Sequence, residues 1–86
     1  MSQGVGNRVR EAREAKGWTQ ARLAELTGVS RKTVNTVENG IFLPSTMVAL
    51  KLSHALGETV EALFWLTEED GRRAPGRHDD AGALPR

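Results

Sequence analysis

Four glycines divide this chain into short pieces. Gly17, Gly28, Gly40 and Gly57 each close a segment rich in helix formers. Within five residues each is followed by a hydroxyl residue suited to open the next helix: Thr19, Ser30, Ser45 and Thr59. A chain punctuated in this way has no room for a long helix or a large sheet. The spacing predicts five short helices, over 7–16, 20–27, 31 to about 39, 46–56 and 60 to about 64. No internal repeat is present, and the one candidate strand is a short piece after Phe64. Five helices joined by links of two to six residues pack as an all-α bundle.

The apolar positions say which sides face inward. Val9, Ala12 and Arg13 share one side of the first helix. Leu23, Ala24 and Leu26 or Thr27 mark the second, and Val34 and Val37 the third. Ala49, Leu52, Ser53 and Leu56 mark the fourth. Arg13 is a charge on an apolar side and implies a partner inside. Trp18 is expected to pack at the junction of the first two helices, and His54 to be an ordinary helix residue.

Composition removes several classes of function. At 86 residues and 9.4 kDa there is one small domain, and a folded chain of this size buries only about 60% of its unfolded surface. There is no cysteine, hence no disulfide, thiol nucleophile or thiolate metal site. The two histidines, His54 and His78, lie 24 residues apart, the second in a polar tail. No phosphate loop and no nucleophile-base set is visible, so neither an enzyme nor a cofactor is expected. The longest apolar run, 62–66, is far too short to span a membrane. With no basic-then-apolar leader pattern, the expectation is a cytoplasmic chain without membrane association.

Net charge is only +1, but it is unevenly spread. Residues 1–40 hold seven basic groups against four acidic ones, while 67–86 hold four against five. An anion-binding face is therefore expected in the first half. The expected organisation is a flexible 1–6, a folded 7–68 and a disordered 69–86, whose charge, Gly and Pro content cannot support a core. Asp79 and Asp80 argue against a phosphate-binding role for Arg72, Arg73 and Arg77.

The most informative stretch is 20–39, QARLAELTGVSRKTVNTVEN. It reads as two short helices joined by a tight glycine turn, with the small Ala24 where they cross and Val29 after the turn. This is the layout of a helix-turn-helix, whose second helix lies in the DNA major groove. The wider pattern runs through Arg13, Thr19-Gln20, Leu23-Ala24, Gly28-Val29-Ser30-Arg31, Thr33 and Glu38-Asn39-Gly40, then Pro44-Ser45, Ala49, Leu52, Leu56-Gly57 and Leu63-Phe64. It resembles the Cro/repressor-type helix-turn-helix family, also called the xenobiotic-response-element family, over about residues 7–64.

The resemblance implies a five-helix lambda-repressor-like domain that binds double-stranded DNA, usually as a dimer on a palindromic operator. By position, Gln20 would bond a phosphate and brace the recognition helix. Arg31, Lys32, Thr33, Asn35 and Thr36 would face the groove. Asn39 and the backbone near Ser45 would contact phosphates. Arg or Lys suits guanine, Asn suits adenine and a Thr methyl suits thymine. Arg13 and Glu38 would form a partly buried structural ion pair. Small stand-alone members such as the cytolysin repressor pair through the fifth helix and an adjacent strand. By that likeness Val48, Leu63, Phe64, Trp65 and Leu66 form the expected dimer surface.

The sequence departs from the family at several places. Thr46 and Glu58 stand where apolar residues are usual and are expected to weaken the packing of the fourth helix on the fifth. Ile41, Phe42 and Leu43 replace a commonly polar loop, and Met47 and Val48 add apolar surface. The leading expectation is a transcription regulator, a repressor acting by occupancy. Two other readings stay open: the DNA-binding part of a longer regulator or an antitoxin with a protein partner, and an interaction module that has lost DNA binding.

Overall fold

Every hydroxyl residue expected to open a helix does so. In the computed structural model, which describes residues 4–41, 43–68 and 73–74, Thr19, Ser30, Ser45 and Thr59 are extended and accept a backbone N–H three residues on. The donors are Arg22, Thr33, Val48 and Ala62, at 3.0 to 3.2 Å. Each such cap contributes about 1 kcal/mol. The helices are α1 (Val9–Ala15), α2 (Gln20–Thr27), α3 (Arg31–Glu38), α4 (Thr46–Leu56) and α5 (Val60–Leu63). Gly28 and Gly57 end α2 and α4 at φ of 77° and 71°, a left-handed conformation that favours glycine.

The core draws on all five helices. Val9, Ala12, Leu23, Ala24, Val34, Val37, Leu52, Leu56 and Leu63 are buried, with Trp18, Val29, Val48, Ala55 and Phe64 packed partly against them. Of the Leu26/Thr27 alternatives, Thr27 goes inside, its hydroxyl donating to the Leu23 carbonyl at 2.7 Å. Leu26 stays exposed.

The two ends of the domain are where the structure differs from expectation. Residues 4–7, expected to belong largely to a flexible leader, form strand β1 (Gly4–Asn7). It pairs antiparallel with strand β2 (Phe64–Thr67), in the register Gly4 to Thr67 and Asn7 to Phe64. The Arg8 N–H continues the ladder to the Leu63 carbonyl at 2.9 Å. Helix α1 consequently starts at Val9 rather than at 7, with Asn7 Oδ1 accepting the Val9 N–H at 3.0 Å. The two glycines of β1 have a packing reason. A Cβ on Gly6 would sit 2.5 Å from Trp65 Nε1, and one on Gly4 would sit 3.1 Å from Thr67 Oγ1. Helix α5 stops one residue early because Phe64 is already extended.

Arg73 and Ala74, expected within a disordered 69–86, are held against β2. Arg73 bridges to Thr67, the Ala74 N–H donates to the Leu66 carbonyl at 2.8 Å, and the Arg73 guanidinium lies 4.5 Å over the Trp65 ring. The rest of that expected tail, residues 1–3 and Phe42 lie outside the described residues.

Glu58 is held by polar contacts: its carboxylate pairs with Arg8 and its carbonyl accepts the Ser53 hydroxyl. The apolar residue usual in the family is replaced by a polar tie to the N-terminal segment. Among the described residues, no helix is long and apolar enough to cross a membrane, and no group of three His, Cys, Asp or Glu could hold a metal.

Candidate nucleic-acid interface

Helix α3 is strongly two-sided. Val34 and Val37 are buried, while Arg31, Lys32 and Asn35 are exposed and Thr33 and Thr36 half-buried. The turn at Gly28 and the buried Ala24 let α2 cross close to α3, so that the outer side of α3 stands free. Gln20, at the start of α2, joins Arg31, Lys32 and Asn35 around one open groove. Among the described residues Arg31 and Lys32 take part in no ion pair, whereas Arg8, Arg10, Arg13 and Arg22 are all paired. Their charge is therefore available to an anion.

The buried end of α3 is organised by Glu38, whose side chain is fully covered. Arg13 Nε donates to Oε2 at 2.6 Å and Arg13 Nη2 to Oε1 at 3.1 Å. Gln20 Nε2 donates to Oε1 at 3.0 Å, and Arg10 Nε reaches it at 3.4 Å. Burial works to raise the Glu38 pKa. Hydrogen bonds from Arg13 and Gln20, the Arg13 charge and the Arg10 bond outweigh it and hold the carboxyl below its ordinary value. The bond to Glu38 raises the Arg13 pKa against the opposing effect of burial. Arg13 Nη1 also donates to the Trp18 carbonyl at 2.7 Å. One ion pair thus ties α1, the first interhelical link and α3 together.

The network extends outward to the groove. Gln20 Nε2 donates to Asn35 Oδ1 at 3.1 Å. Asn39 Nδ2 donates to the Asn35 carbonyl at 2.9 Å and to Asn35 Oδ1 at 3.1 Å, while Asn39 Oδ1 accepts from Arg10 Nη2 at 2.7 Å. The Gln20 and Asn39 amide N–H groups bond within the protein, and both side chains brace Asn35. Arg10, with an exposed guanidinium and an Nη1 left over from its bonds to Glu38 and Asn39, adds a cation at that corner. Ser45 keeps its hydroxyl hydrogen while its oxygen caps α4.

Sequence reasoning missed Arg10 and Asn7. Arg10 lies three residues before Arg13, so a shared partner was legible from helical spacing. Asn7 donates to the Val37 carbonyl at 3.0 Å, a contact across 30 residues with no local signal. Thr33 and Thr36 are partly turned to internal bonds: Thr33 Oγ1 pairs with Ser30 Oγ, and Thr36 Oγ1 donates to the Thr33 carbonyl.

The expected dimer surface needs one clear correction. Leu63 is fully buried in the core and has nothing to offer a partner. Val48, Phe64 and Trp65 are half-buried, and Leu66 is exposed. The exposed apolar side chains nearby are instead Leu43, Met47 and Leu50. Beside them a shallow groove is lined by Val5, Pro44, Ala49, Leu50, Val60 and Phe64.

Comparison with known proteins agrees with this geometry. A helix-turn-helix family model matches residues 9–63. YgzD, named an uncharacterized HTH-type transcriptional regulator of Bacillus subtilis strain 168, is 42% identical over 64 residues, covering 74% of this chain and 97% of YgzD. An uncharacterized HTH-type transcriptional regulator of Methanothermobacter thermautotrophicus is 42% identical over 66 residues, 76% of this chain and 94% of its own. Among solved structures, the restriction-modification controller protein C.AhdI from Aeromonas hydrophila superimposes with a TM-score of 0.60 at 41% identity, covering 63% of this chain and 82% of that one. The match runs from α1 through α5, and the chain belongs to the Cro/repressor-type helix-turn-helix family of DNA-binding transcription regulators, which is not a class of enzymes.

Proposed function

We propose that this chain is a sequence-specific repressor that binds a palindromic operator as a homodimer, with α3 in the major groove. The observation that carries this reading is the outer side of α3. Among the described residues Arg31 and Lys32 are in no ion pair, and Asn35 is held in place beside them by Gln20 and Asn39. Cations supply the phosphate attraction and guanine contacts, and a fixed amide supplies discrimination. Arg10, Ser45 and the amide end of α4 flank this surface and suit the adjoining phosphates. Repression by occupancy needs only a bound domain.

The homodimer rests on the apolar side chains left uncovered by the fold. Met47 and Leu50 on α4 and Leu66 on β2 are each more than half exposed, and Leu50 also lines the groove between β1, α4 and α5. Exposed apolar side chains clustered beside such a groove mark an association surface. A two-fold pairing suits an operator whose half-sites repeat about 34 Å apart, one turn of DNA.

The test is binding to duplexes from the protein's own upstream region, read by mobility shift with competitor DNA across a salt series. A retained complex with excess competitor and a steep loss of affinity with salt are expected. Weak binding, equal on all sequences, overturns the reading.

A further inference from the structure

The hydrogen-bond chain around Asn35 fixes which atoms it can show to DNA. Amide orientation is usually ambiguous between oxygen and nitrogen, but here both neighbours are set by ionic groups. Arg10 is a donor only, so Asn39 must turn its oxygen to Arg10 Nη2 and its nitrogen to Asn35. Glu38, ionised, is an acceptor only, so Gln20 must turn its nitrogen to Glu38 and to Asn35. Two donors therefore converge on Asn35 Oδ1, each at 3.1 Å. Both acceptor positions of that oxygen are filled. The two N–H groups of Asn35 are left free on the exposed side of α3.

We infer that Asn35 is a donor-only reader, selecting a base whose major-groove edge carries acceptors and no amino donor, and so disfavouring adenine and cytosine. The inference rests on the proposed DNA reading and deepens it. The usual pairing of Asn with adenine needs the amide oxygen to accept from N6 while the nitrogen donates to N7. Here the oxygen is occupied, so the adenine N6 amino group would meet an amide N–H, donor against donor. Cytosine presents only its N4 donor and meets the same conflict. Guanine offers two acceptors, N7 and O6, to the two free N–H groups. Thymine offers one, O4, and ranks second. Arg10 and Glu38, neither of them on the outer side of α3, thus act as positioning residues for base choice.

The experiment is selection of binding sites by the full chain from a pool of randomised duplexes, followed by affinity measurement on single-base variants of the selected site. Wild type is compared with N35D, N35A and the double variant Q20A plus N39A, each checked for helicity by circular dichroism. For wild type, one half-site position is expected to be guanine, favoured over adenine about tenfold or more. N35D turns an acceptor outward and is expected to shift that position alone to cytosine or adenine. N35A is expected to flatten it. Q20A plus N39A frees the Asn35 oxygen and is expected to admit adenine there. Adenine at the Asn35-dependent position of wild type overturns the inference, as does a selected site indifferent to N35A and N35D. If wild type selects no sequence at all, the regulator reading itself fails and this inference with it. If one variant does not fold, the others still decide, since wild type and N35A alone separate guanine from adenine.

Discussion

Arg13 and Glu38 meet in a two-pronged ion pair, Nε to Oε2 at 2.6 Å and Nη2 to Oε1 at 3.1 Å, with the glutamate side chain fully covered. The pair bonds α1 to the last turn of α3, so it sets how the exposed side of α3 is presented. Replacing Glu38 by Ala leaves a nearly buried guanidinium without its counter-charge. A loss of about 3–5 kcal/mol is expected, the cost of breaking a buried pair from one side. Urea unfolding of E38A against wild type measures it. A loss below about 1 kcal/mol, the value of a surface pair, would contradict the structural role.

The same pair gives a pH signature. The folded-state pKa of Glu38 lies below its ordinary value. Its contribution is therefore present above the unfolded pKa and is lost as pH falls toward the folded value. Unfolding midpoints measured from pH 7 down to pH 3 are expected to fall for wild type. The fall should be shallower for E38Q, which has no proton to gain at this position. Parallel curves would show that the Glu38 bonds do not favour its ionised form.

At the other end of the domain, Gly6 faces Trp65 so closely that no side chain fits between them. G6A is expected to lift the indole or detach β1, at a cost of about 1–3 kcal/mol, as for an overpacked core position. The chain has two tryptophans, so the readout is Trp65 fluorescence in a W18F background, alongside thermal unfolding. Unchanged emission and unchanged stability would show that β1 is not packed as described.

Most of the helical frame was legible in the sequence because its signals are local. The bounds of α2 and α4 follow from a hydroxyl cap and a glycine stop within the same stretch. The Arg13–Glu38 pair was legible from the family likeness, supported by a charge on an apolar helix side. What was not legible depends on distant residues. Gly4 and Gly6 look like a loose leader until Trp65 and Thr67 are placed across from them. Leu63 sits in a run of apolar residues, and only the packed structure shows it pointing inward while Leu66 points out. That Gln20 and Asn39 both bond Asn35 Oδ1 shows only once the three residues are placed together.

The proposed homodimer can be tested separately from DNA reading. Leu50 is more than half exposed, so L50D should leave the fold intact by circular dichroism. It is expected to shift the particle from dimer to monomer in light scattering and to weaken operator binding. A wild-type chain that is monomeric at working concentration, or an L50D chain that still dimerises, would place the interface elsewhere or remove it.

DNA reading by the outer side of α3 is the proposal on which the others depend. The most direct measurement is the affinity of wild type and of R31A plus N35A for the same upstream duplex and for a scrambled one. Wild type is expected to prefer the upstream duplex. Each lost base contact should reduce that preference by about 1–3 kcal/mol, and the double variant should bind both duplexes alike. A double variant that keeps the full preference would contradict it.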